Sequence, residues 1–259
     1  MTFKFASLGS GSQGNGLVVV SDETHVLVDC GFSIKETERR LGRLGIDPNL
    51  IDAILVTHEH GDHVGGVAGL SQKYSIPVRC TPGTFMASSS LVGQSGVEVI
   101  HGYAEFRIKD LIIEPYPVPH DAREPSQFTI VCGEDKLGVL TDCGSITPHM
   151  REQLKGCSAL FIEFNHDKDM LSRSGYPQAL KNRISGGFGH INNIQAIDLL
   201  ECVSGPNLQY VVAAHLSKEN NDPELVRRLI AQSLRWEEES VDIATQELGL
   251  GWRTLGSSI

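Results

Sequence analysis

The chain has 259 residues, of which 40% are hydrophobic, 21% charged and 6% aromatic. This composition excludes a disordered chain and a bilayer-embedded one, and the length favours a single domain over residues 1–259. Lys and Arg total 22 against 32 Asp and Glu, which gives a net charge of -10. That charge argues against a protein that coats nucleic acid through electrostatic attraction alone, and it leaves a local basic patch possible.

The amino terminus and the cysteines indicate the compartment. The start, MTFKFASLGSGS, has one lysine and no apolar segment long enough for a signal peptide. Six cysteines are scattered singly along the chain, without the pairing of a zinc ribbon or the density of a secreted disulfide scaffold. We therefore expect a cytoplasmic protein with reduced thiols and no membrane partner.

In chain order, short apolar runs separated by turn residues predict strands, and capping signals predict helices between them. Strands are expected at 2–8, 16–20, 25–29, 53–57, 76–80, 111–118, 127–132, 137–141, 159–164 and 209–215. Helices are expected at 33–44, after Thr81, and at 148–154, 176–184, 191–202 and 223–236. This mixture predicts layers of sheet covered on the outside by helices.

One segment concentrates metal-ligand chemistry. Residues 53–66, AILVTHEHGDHVGG, run from a buried strand into four potential ligands: His58, His60, Asp62 and His63. Residues i and i+2 of an extended segment face the same way, so His58 and His60 can hold one ion. A tight bend at Gly61 would then turn Asp62 and His63 toward a second ion. Imidazole and carboxylate ligands together suit zinc, iron or manganese.

Further ligands are expected where other strands end. His120 follows LIIEPYPVP, Asp142 follows KLGVLT and His215 follows QYVVAA. A site can be assembled on rigid supports when its side chains stand at neighbouring strand ends. A structural zinc site is the competing interpretation. Such sites usually have four ligands and favour cysteine, whereas seven non-cysteine candidates are present here.

These motifs resemble the ordered motifs of the metallo-β-lactamase fold, an α/β fold built as a four-layer αββα sandwich with a dinuclear metal site. THEHGDHVGG, Asp29 in VLVDCG, His120, Asp142 in TDCG and His215 carry the resemblance. It implies one ion on His58, His60 and His120, a second on Asp62, His63 and His215, and Asp142 bridging both. Asp29 would support the ligand loop, residues 58–63, which carries the four clustered candidates.

The resemblance also implies a hydrolytic mechanism. A water shared by two cations has its pKa lowered toward neutrality, so a metal-bridging hydroxide would be the nucleophile. Asp62 would orient or deprotonate that water, and the ions would take up charge from the phosphoryl or carbonyl oxygen.

Other segments are similar to the YycJ-like subgroup and to RNase Z. They are SLGSGSQGNG near the amino terminus, FIEFNHD at 161–167, GHINN at 189–193 and AAHLSKENND at 213–222. The resemblance implies that His190, held by Glu163, contacts the scissile phosphate and protonates the leaving oxygen. The candidate substrate-binding residues are Ser10, Asn15, Asn193, Ser217 and Arg173. Lys181 and Arg183 are further basic residues in this region.

The expected function is therefore that of a metal-dependent phosphodiesterase, and the resemblance to the YycJ-like subgroup implies a DNA exonuclease. Two divalent ions are expected as cofactors. Zinc is the first expectation, and manganese or iron are the alternatives. The motifs do not choose between DNA and RNA, or between exonuclease and endonuclease action. Two other functions remain open at this point. One is a thioester or lactone hydrolase of the glyoxalase type, and the other is a non-catalytic regulatory protein with a structural metal site.

Overall fold

The computed structural model describes residues 2–256. Two seven-stranded sheets dominate it. The first sheet has the strand order β14-β1-β2-β3-β4-β5-β6. Its strands are β1 (Phe3–Gly9), β2 (Gly16–Ser21), β3 (His25–Val28), β4 (Ala53–Leu55), β5 (Val78–Cys80), β6 (Val97–Val99) and β14 (Leu250–Leu255). β3 through β6 are parallel to one another, and the other pairs are antiparallel.

The second sheet has the order β13-β12-β11-β10-β9-β8-β7. Its strands are β7 (Phe106–Ile108), β8 (Leu111–Pro117), β9 (Ser126–Cys132), β10 (Asp135–Leu140), β11 (Ala159–Glu163), β12 (Tyr210–Ala214) and β13 (Asp242–Ile243). β10 through β13 are parallel, so the carboxyl ends of β10, β11 and β12 meet at one edge of the sheet.

Residues 2–256 include nine α-helices, and several of them pack against the outer faces of the sheets. They are α1 (Ile34–Arg43), α2 (Gly61–Val64), α3 (Val67–Tyr74), α4 (Pro82–Ala87), α5 (Pro148–Leu154), α6 (Lys168–Arg173), α7 (Gln178–Ile184), α8 (Asn193–Val203) and α9 (Pro223–Leu234). Short 3-10 helices occupy Pro48–Leu50 and Glu238–Ser240. Within residues 2–256, no helix has the length and apolar composition needed to cross a membrane.

Successive side chains along each strand face opposite sides of the sheet, and this alternation produces the layers. Val19 and Val26 belong to a core between the two sheets, together with Phe128 and Phe161 of the second sheet. The residues next to them face outward: Val18 and Leu27 pack with α1 and α3, and Leu160 and Val211 pack with α5, α8 and α9. The result is the predicted α/β fold with helix, sheet, sheet and helix layers.

Most element positions agree with the sequence predictions, and the differences have local causes. The helix expected at 191–202 begins at Asn193 because the Asn192 side chain accepts hydrogen bonds from the amides of Ile194 and Gln195. The helix expected at 176–184 begins at Gln178, after Pro177. The short elements α2, α3, α6, β6, β7, β13 and β14 were not predicted. Among the described residues the cysteines are free, and Cys202 alone is exposed.

Candidate metal centre and active site

The candidate site lies where strands of both sheets end. β4 leads through Val56 and Thr57 into the ligand loop, and β11 ends at Glu163. The remaining candidates follow their strands within a few residues: His120 after β8, Asp142 after β10 and His215 after β12. The parallel order of β10, β11 and β12 therefore explains why residues distant in sequence meet here.

The ligand loop is held by close backbone packing. His60 precedes α2, and Asp62 and His63 lie within that short helix. A Cβ at Gly31 would lie 1.8 Å from the carbonyl oxygen of Asp62, so only glycine fits there. The expected role of Gly61 in a tight bend is wrong, because a Cβ at Gly61 would meet nothing within 4 Å and the residue starts a helix.

Asp29 orients the first ligands. It is buried, adopts the left-handed backbone conformation with φ of 59°, and its carboxylate accepts hydrogen bonds from the Thr57 amide at 2.8 Å and the Thr57 hydroxyl at 2.7 Å. It also accepts one from His63 Nδ1 at 2.7 Å. Because the Thr57 hydroxyl hydrogen is directed to Asp29, His58 Nδ1 donates to Thr57 Oγ1 at 2.9 Å. The Nε2 atoms of His58 and His63 remain for other partners.

One group of ligand atoms comes from His58, His60 and His120, all within 4.8 Å of one another. His120 Nδ1 donates to the carbonyl of Gly189, and His60 Nε2 donates to that of Asp121. The remaining lone pairs, on His60 Nδ1 and His120 Nε2, lie 3.3 Å apart. Two nitrogens bound at about 2.0–2.1 Å to a tetrahedral zinc ion are separated by roughly that distance. A cation between them would relieve their repulsion.

A second group comes from Asp62, His63 and His215. The buried Asp142 lies between the groups: its carboxylate is 3.0 Å from His63 Nε2, 3.2 Å from His215 Nδ1 and 3.9 Å from His120 Nε2. His215 adopts a left-handed conformation with φ of 53°. Such strain costs on the order of 1–3 kcal/mol and persists only where the surroundings enforce it.

The electrostatics of the cluster favour added positive charge. Burial opposes the charged form of His215, yet the carboxylates of Asp142, Asp62 and Glu163 raise its pKa to about 10. Burial opposes the charge of Asp142 as well, but His215 and His63 hold the pKa of that carboxyl well below its usual range. Burial and the neighbouring His63 lower the pKa of His58. The carboxylates thus stabilise cations at the centre.

The donor set fits divalent metal ions. Three buried atoms that would be ligands, His58 Nε2, His215 Nε2 and Asp142 Oδ2, have no hydrogen-bond partner among residues 2–256. Buried polar atoms without partners are costly and require an explanation. A mixed imidazole and carboxylate environment is the chemistry that zinc, iron and manganese accept. These observations support divalent metal binding by the cluster.

Beside the cluster, Glu163 and His190 form a tight pair. The Glu163 carboxylate is fully buried and accepts hydrogen bonds from His190 Nδ1 at 2.7 Å, His215 Nδ1 at 3.2 Å and the amides of Cys143 and Ile191. Burial opposes the charge of His190, but Glu163 raises its pKa above the usual value. Since Nδ1 is engaged, Nε2 is the atom of His190 that remains for substrate.

The glycine-rich segment, residues 9–16, contributes a wall of the site. Ser10 accepts a hydrogen bond from the His215 amide at 2.9 Å, and its hydroxyl donates to Asn15 Oδ1 at 3.2 Å. Asn15 Nδ2 lies 3.0 Å from His63 Nε2 and 3.3 Å from the Asp62 carboxylate. Ser10 and Ser217 line a cavity of about 460 Å³ next to the metal centre.

Two other candidate substrate-binding residues, Asn193 and Arg173, have surroundings that differ from those of Ser10 and Asn15. The Asn193 side chain is buried and makes reciprocal hydrogen bonds of 2.9 Å with the buried Asn221, so its amide is already occupied. Arg173 is exposed at the end of α6, and its guanidinium contacts no acidic group in the described part of the chain. Arg183 is paired with Asp121 at 2.6 Å.

Sequence reasoning missed Asp121. Its carboxylate lies 3.4 Å from His120 Nε2 and 3.7 Å from His60 Nε2, at the exposed side of the first ligand group. Burial opposes its charge, whereas Arg183 and His120 lower its pKa. Its position directly after His120 was the one available signal. His166, another buried histidine, was also overlooked because it lies within a motif assigned to Glu163.

The chain is similar to known proteins over most of its length. Residues 24–215 match the family described as the beta-lactamase superfamily domain. The chain is 36% identical over 237 residues to the exodeoxyribonuclease YycJ of Bacillus anthracis, covering 90% of each chain. It is 31% identical over 254 residues to the exodeoxyribonuclease WalJ of Streptococcus pneumoniae, covering 96% of this chain and 91% of that protein.

The fold has counterparts among solved structures. The metallo-β-lactamase fold protein YhfI of Bacillus subtilis superposes with a TM-score of 0.75 at 17% identity, covering 98% of this chain and all of that one. At this identity the likeness concerns the fold. Taken with the family match and the two relatives, it shows that the chain belongs to the metallo-β-lactamase superfamily, in the YycJ-like subgroup.

Proposed function

We propose that this protein is a metal-dependent phosphodiesterase that degrades DNA as an exonuclease. The observation that carries the proposal is the pair of ligand groups joined by Asp142, with the Glu163–His190 pair beside them. The similarity to YycJ and WalJ, both named exodeoxyribonucleases, supports DNA as the substrate. A cytoplasmic location and a single domain over residues 1–259 stay predictions from the sequence.

His58, His60 and His120 would hold one divalent ion, and Asp62, His63 and His215 a second, with Asp142 shared between them. Zinc is the first expectation, and manganese or iron are the alternatives that the same ligands accept. When bound, such ions lower the pKa of water and stabilise negative charge on phosphoryl oxygens. Asp29 and Thr57 keep the imidazoles of His58 and His63 in the required orientation.

The chain's own residues move the protons. Asp62 accepts a proton from the attacking water as the new bond to phosphorus forms. The bond between phosphorus and the leaving sugar oxygen then breaks, and His190 gives its Nε2 proton to that oxygen. Glu163 keeps His190 in place through the 2.7 Å hydrogen bond to Nδ1 and stabilises its charged form. Positioned acids and bases of this kind contribute roughly two to four orders of magnitude in rate.

The test measures hydrolysis of phosphodiester, thioester and lactone bonds by one protein preparation. Purified protein with zinc or manganese should degrade end-labelled DNA and leave thioester and lactone substrates intact, and excess chelator should stop the reaction. Asp62→Ala removes a ligand and the proton acceptor together, so the variant should fold and lose hydrolysis of DNA. If the protein instead hydrolyses the acyl substrates and leaves DNA uncleaved, the result would support a glyoxalase-type enzyme. A variant with wild-type turnover would rule out Asp62 as a member of the catalytic site.

A further inference from the structure

A second polar cavity lies near the metal centre and has no part in the proposed chemistry. It has a volume of about 190 Å³ and is bounded by α6, α7 and the segment that follows β11. None of its eight lining residues is acidic, and two are lysines, Lys168 and Lys181. Lys181 Nζ donates to the carbonyl of Ser172, another lining residue, at 2.6 Å, which holds the ammonium group at the cavity wall. The lining therefore suits an anion.

His166 lines the cavity and has an unusual hydrogen-bonding state. It is buried, with 1% of its surface exposed, and its Nε2 atom has no hydrogen-bond partner among residues 2–256. Asn165 Nδ2 donates to the His215 carbonyl, so Asn165 Oδ1 is an acceptor and His166 Nδ1 donates to it at 3.2 Å. Burial lowers the pKa of His166 to about 4, which leaves the imidazole neutral. Its Nε2 is therefore a buried acceptor that lacks a donor.

These features together restrict the ligand chemistry. The two ammonium groups favour a negatively charged ligand, and the buried Nε2 lone pair favours one that can donate a hydrogen bond. A phosphodiester or a carboxylate at neutral pH carries no such hydrogen. A phosphate monoester has a second pKa of about 6 and can share one proton with an imidazole while keeping its negative charge. Sugar hydroxyls offer a hydrogen without the charge.

We propose that this cavity binds the terminal phosphate monoester of the nucleic-acid strand that the metal centre cleaves. The inference rests on the proposed function. His166 Nε2 accepts the hydrogen of the phosphate, and Lys168 and Lys181 neutralise its charge. Gln178, Asn182 and Ser185 supply further hydrogen-bonding groups around the opening.

The cavity is linked to the active site through short connections. Asn165, the partner of His166, also donates to the backbone carbonyl of His215. α7, which forms one wall, ends at Ile184, whose carbonyl accepts the amide hydrogen of His190 at 2.8 Å. A phosphate anchored in the cavity fixes the end of a strand relative to His190. Recognition of a strand end in this way explains why cleavage would begin there.

Cleavage assays test the role of the lysines. Three matched oligonucleotides carry a phosphate at the 5′ end, at the 3′ end, or at neither. The wild type should cleave one phosphorylated form at least about tenfold faster than the others, about the effect of one charged hydrogen bond. Lys168→Met/Lys181→Met should abolish that preference. The matched control, Lys73→Met/Lys155→Met, removes the same charge from exposed surface pairs and should keep the preference.

Binding measurements separate this proposal from the proposed function. Oligonucleotides with phosphorothioate linkages, with and without the terminal phosphate, are titrated by fluorescence anisotropy. The wild type should bind the phosphorylated form about tenfold more tightly, and Lys168→Met/Lys181→Met should bind both equally. Bis(nitrophenyl) phosphate, which lacks a terminal monoester, should be hydrolysed equally by wild type and variant.

Each outcome has one meaning. DNA cleavage without any dependence on a terminal phosphate, or a dependence that survives in the double variant, would overturn the cavity proposal and leave the nuclease intact. A preserved binding preference in a protein that cleaves no phosphodiester would overturn the proposed function and support the cavity. In an otherwise wild-type protein, His166→Gln should also weaken the preference, and the lysine variants decide the question if that protein does not fold.

Discussion

The orientation of the proposed ligand imidazoles depends on Asp29, which is not among the proposed ligands. Its carboxylate receives three hydrogen bonds, two from Thr57 and one from His63. The left-handed backbone at Asp29 aims the carboxylate under the ligand loop. Groups that fix a ligand histidine in this way typically contribute 10- to 100-fold to metal affinity.

Asp29→Asn keeps the size of the side chain and removes its charge, so all the ligands stay present. We expect metal affinity to fall by roughly 10- to 100-fold, because the acceptor for His63 Nδ1 is weakened. Competition with a chelating dye measures this directly. An unchanged affinity would show that Asp29 supports the fold and has no influence on the ligands.

His190→Ala tests the proton donor. Because no metal ligand is removed, metal content should be unchanged, while DNA hydrolysis should fall by about two to four orders of magnitude. A nitrophenyl phosphodiester has an acidic leaving group and needs the proton far less, so its hydrolysis should fall much less. Equal losses for both substrates would make His190 a binding or structural residue. If hydrolysis of neither substrate falls, His190 has no role in the active site.

At the scale of elements, the ligand loop and the glycine-rich segment are held by backbone packing and by α1. Gly31 lies against the backbone of Asp62. Arg40 of α1 donates to the carbonyl of Leu8, which precedes the glycine-rich segment, and to that of Gln246, whose side chain contacts the segment. Sequence patterns predicted the helix and the loop. They could not show these contacts, since carbonyl acceptors leave no signal in side-chain identity.

Gly31→Ala and Gly61→Ala form a matched pair. A Cβ at Gly31 would lie 1.8 Å from the Asp62 oxygen, so we expect a loss of about 2 kcal/mol or more in unfolding free energy together with weaker metal binding. A Cβ at Gly61 meets nothing, so Gly61→Ala should be neutral or stabilising by roughly 0.4–1 kcal/mol. Urea denaturation of both variants measures the difference. Equal effects would contradict the packing described for the loop.

Glu36→Gln tests how α1 holds the segment. Hydrogen bonds from Arg39 and Arg40 lower the pKa of Glu36 to about 2. A depressed pKa stabilises the fold above the ordinary carboxyl pKa of 4.5, and this contribution is lost as pH falls toward about 2. We expect the unfolding free energy of the wild type to exceed that of the variant by about 1 kcal/mol at neutral pH. That gap should close between those two pKa values, and a gap independent of pH would contradict the assignment.

At the scale of the whole molecule, the proposed metal centre lies where the two sheets meet. The loop after β4 supplies His58 and His63 from the first sheet, whereas Asp142 and His215 follow strands of the second. Ion binding there would therefore hold the two halves of the sandwich together. A ligand that binds only the folded state raises its stability, so metal removal should lower the melting temperature.

Strand runs and ligand motifs could be predicted because alternation and clustered histidines are local signals. β6 and β13 were missed because two or three residues carry no periodicity. β14 pairs with β1 across nearly the full chain, a contact that no local pattern encodes. His166 escaped for a similar reason, since its missing hydrogen-bond donor becomes visible only when Asn165 and the surrounding backbone are in place.

The most direct test is metal reconstitution of nuclease activity. Chelator-treated protein receives zinc or manganese in increasing molar ratio, and degradation of end-labelled DNA is followed beside metal content and folding. We predict no cleavage without metal, a rate that rises until two ions are bound per chain, and no recovery in a folded Asp142→Ala variant. Full cleavage by the chelated protein, or by Asp142→Ala, would contradict the account of this site.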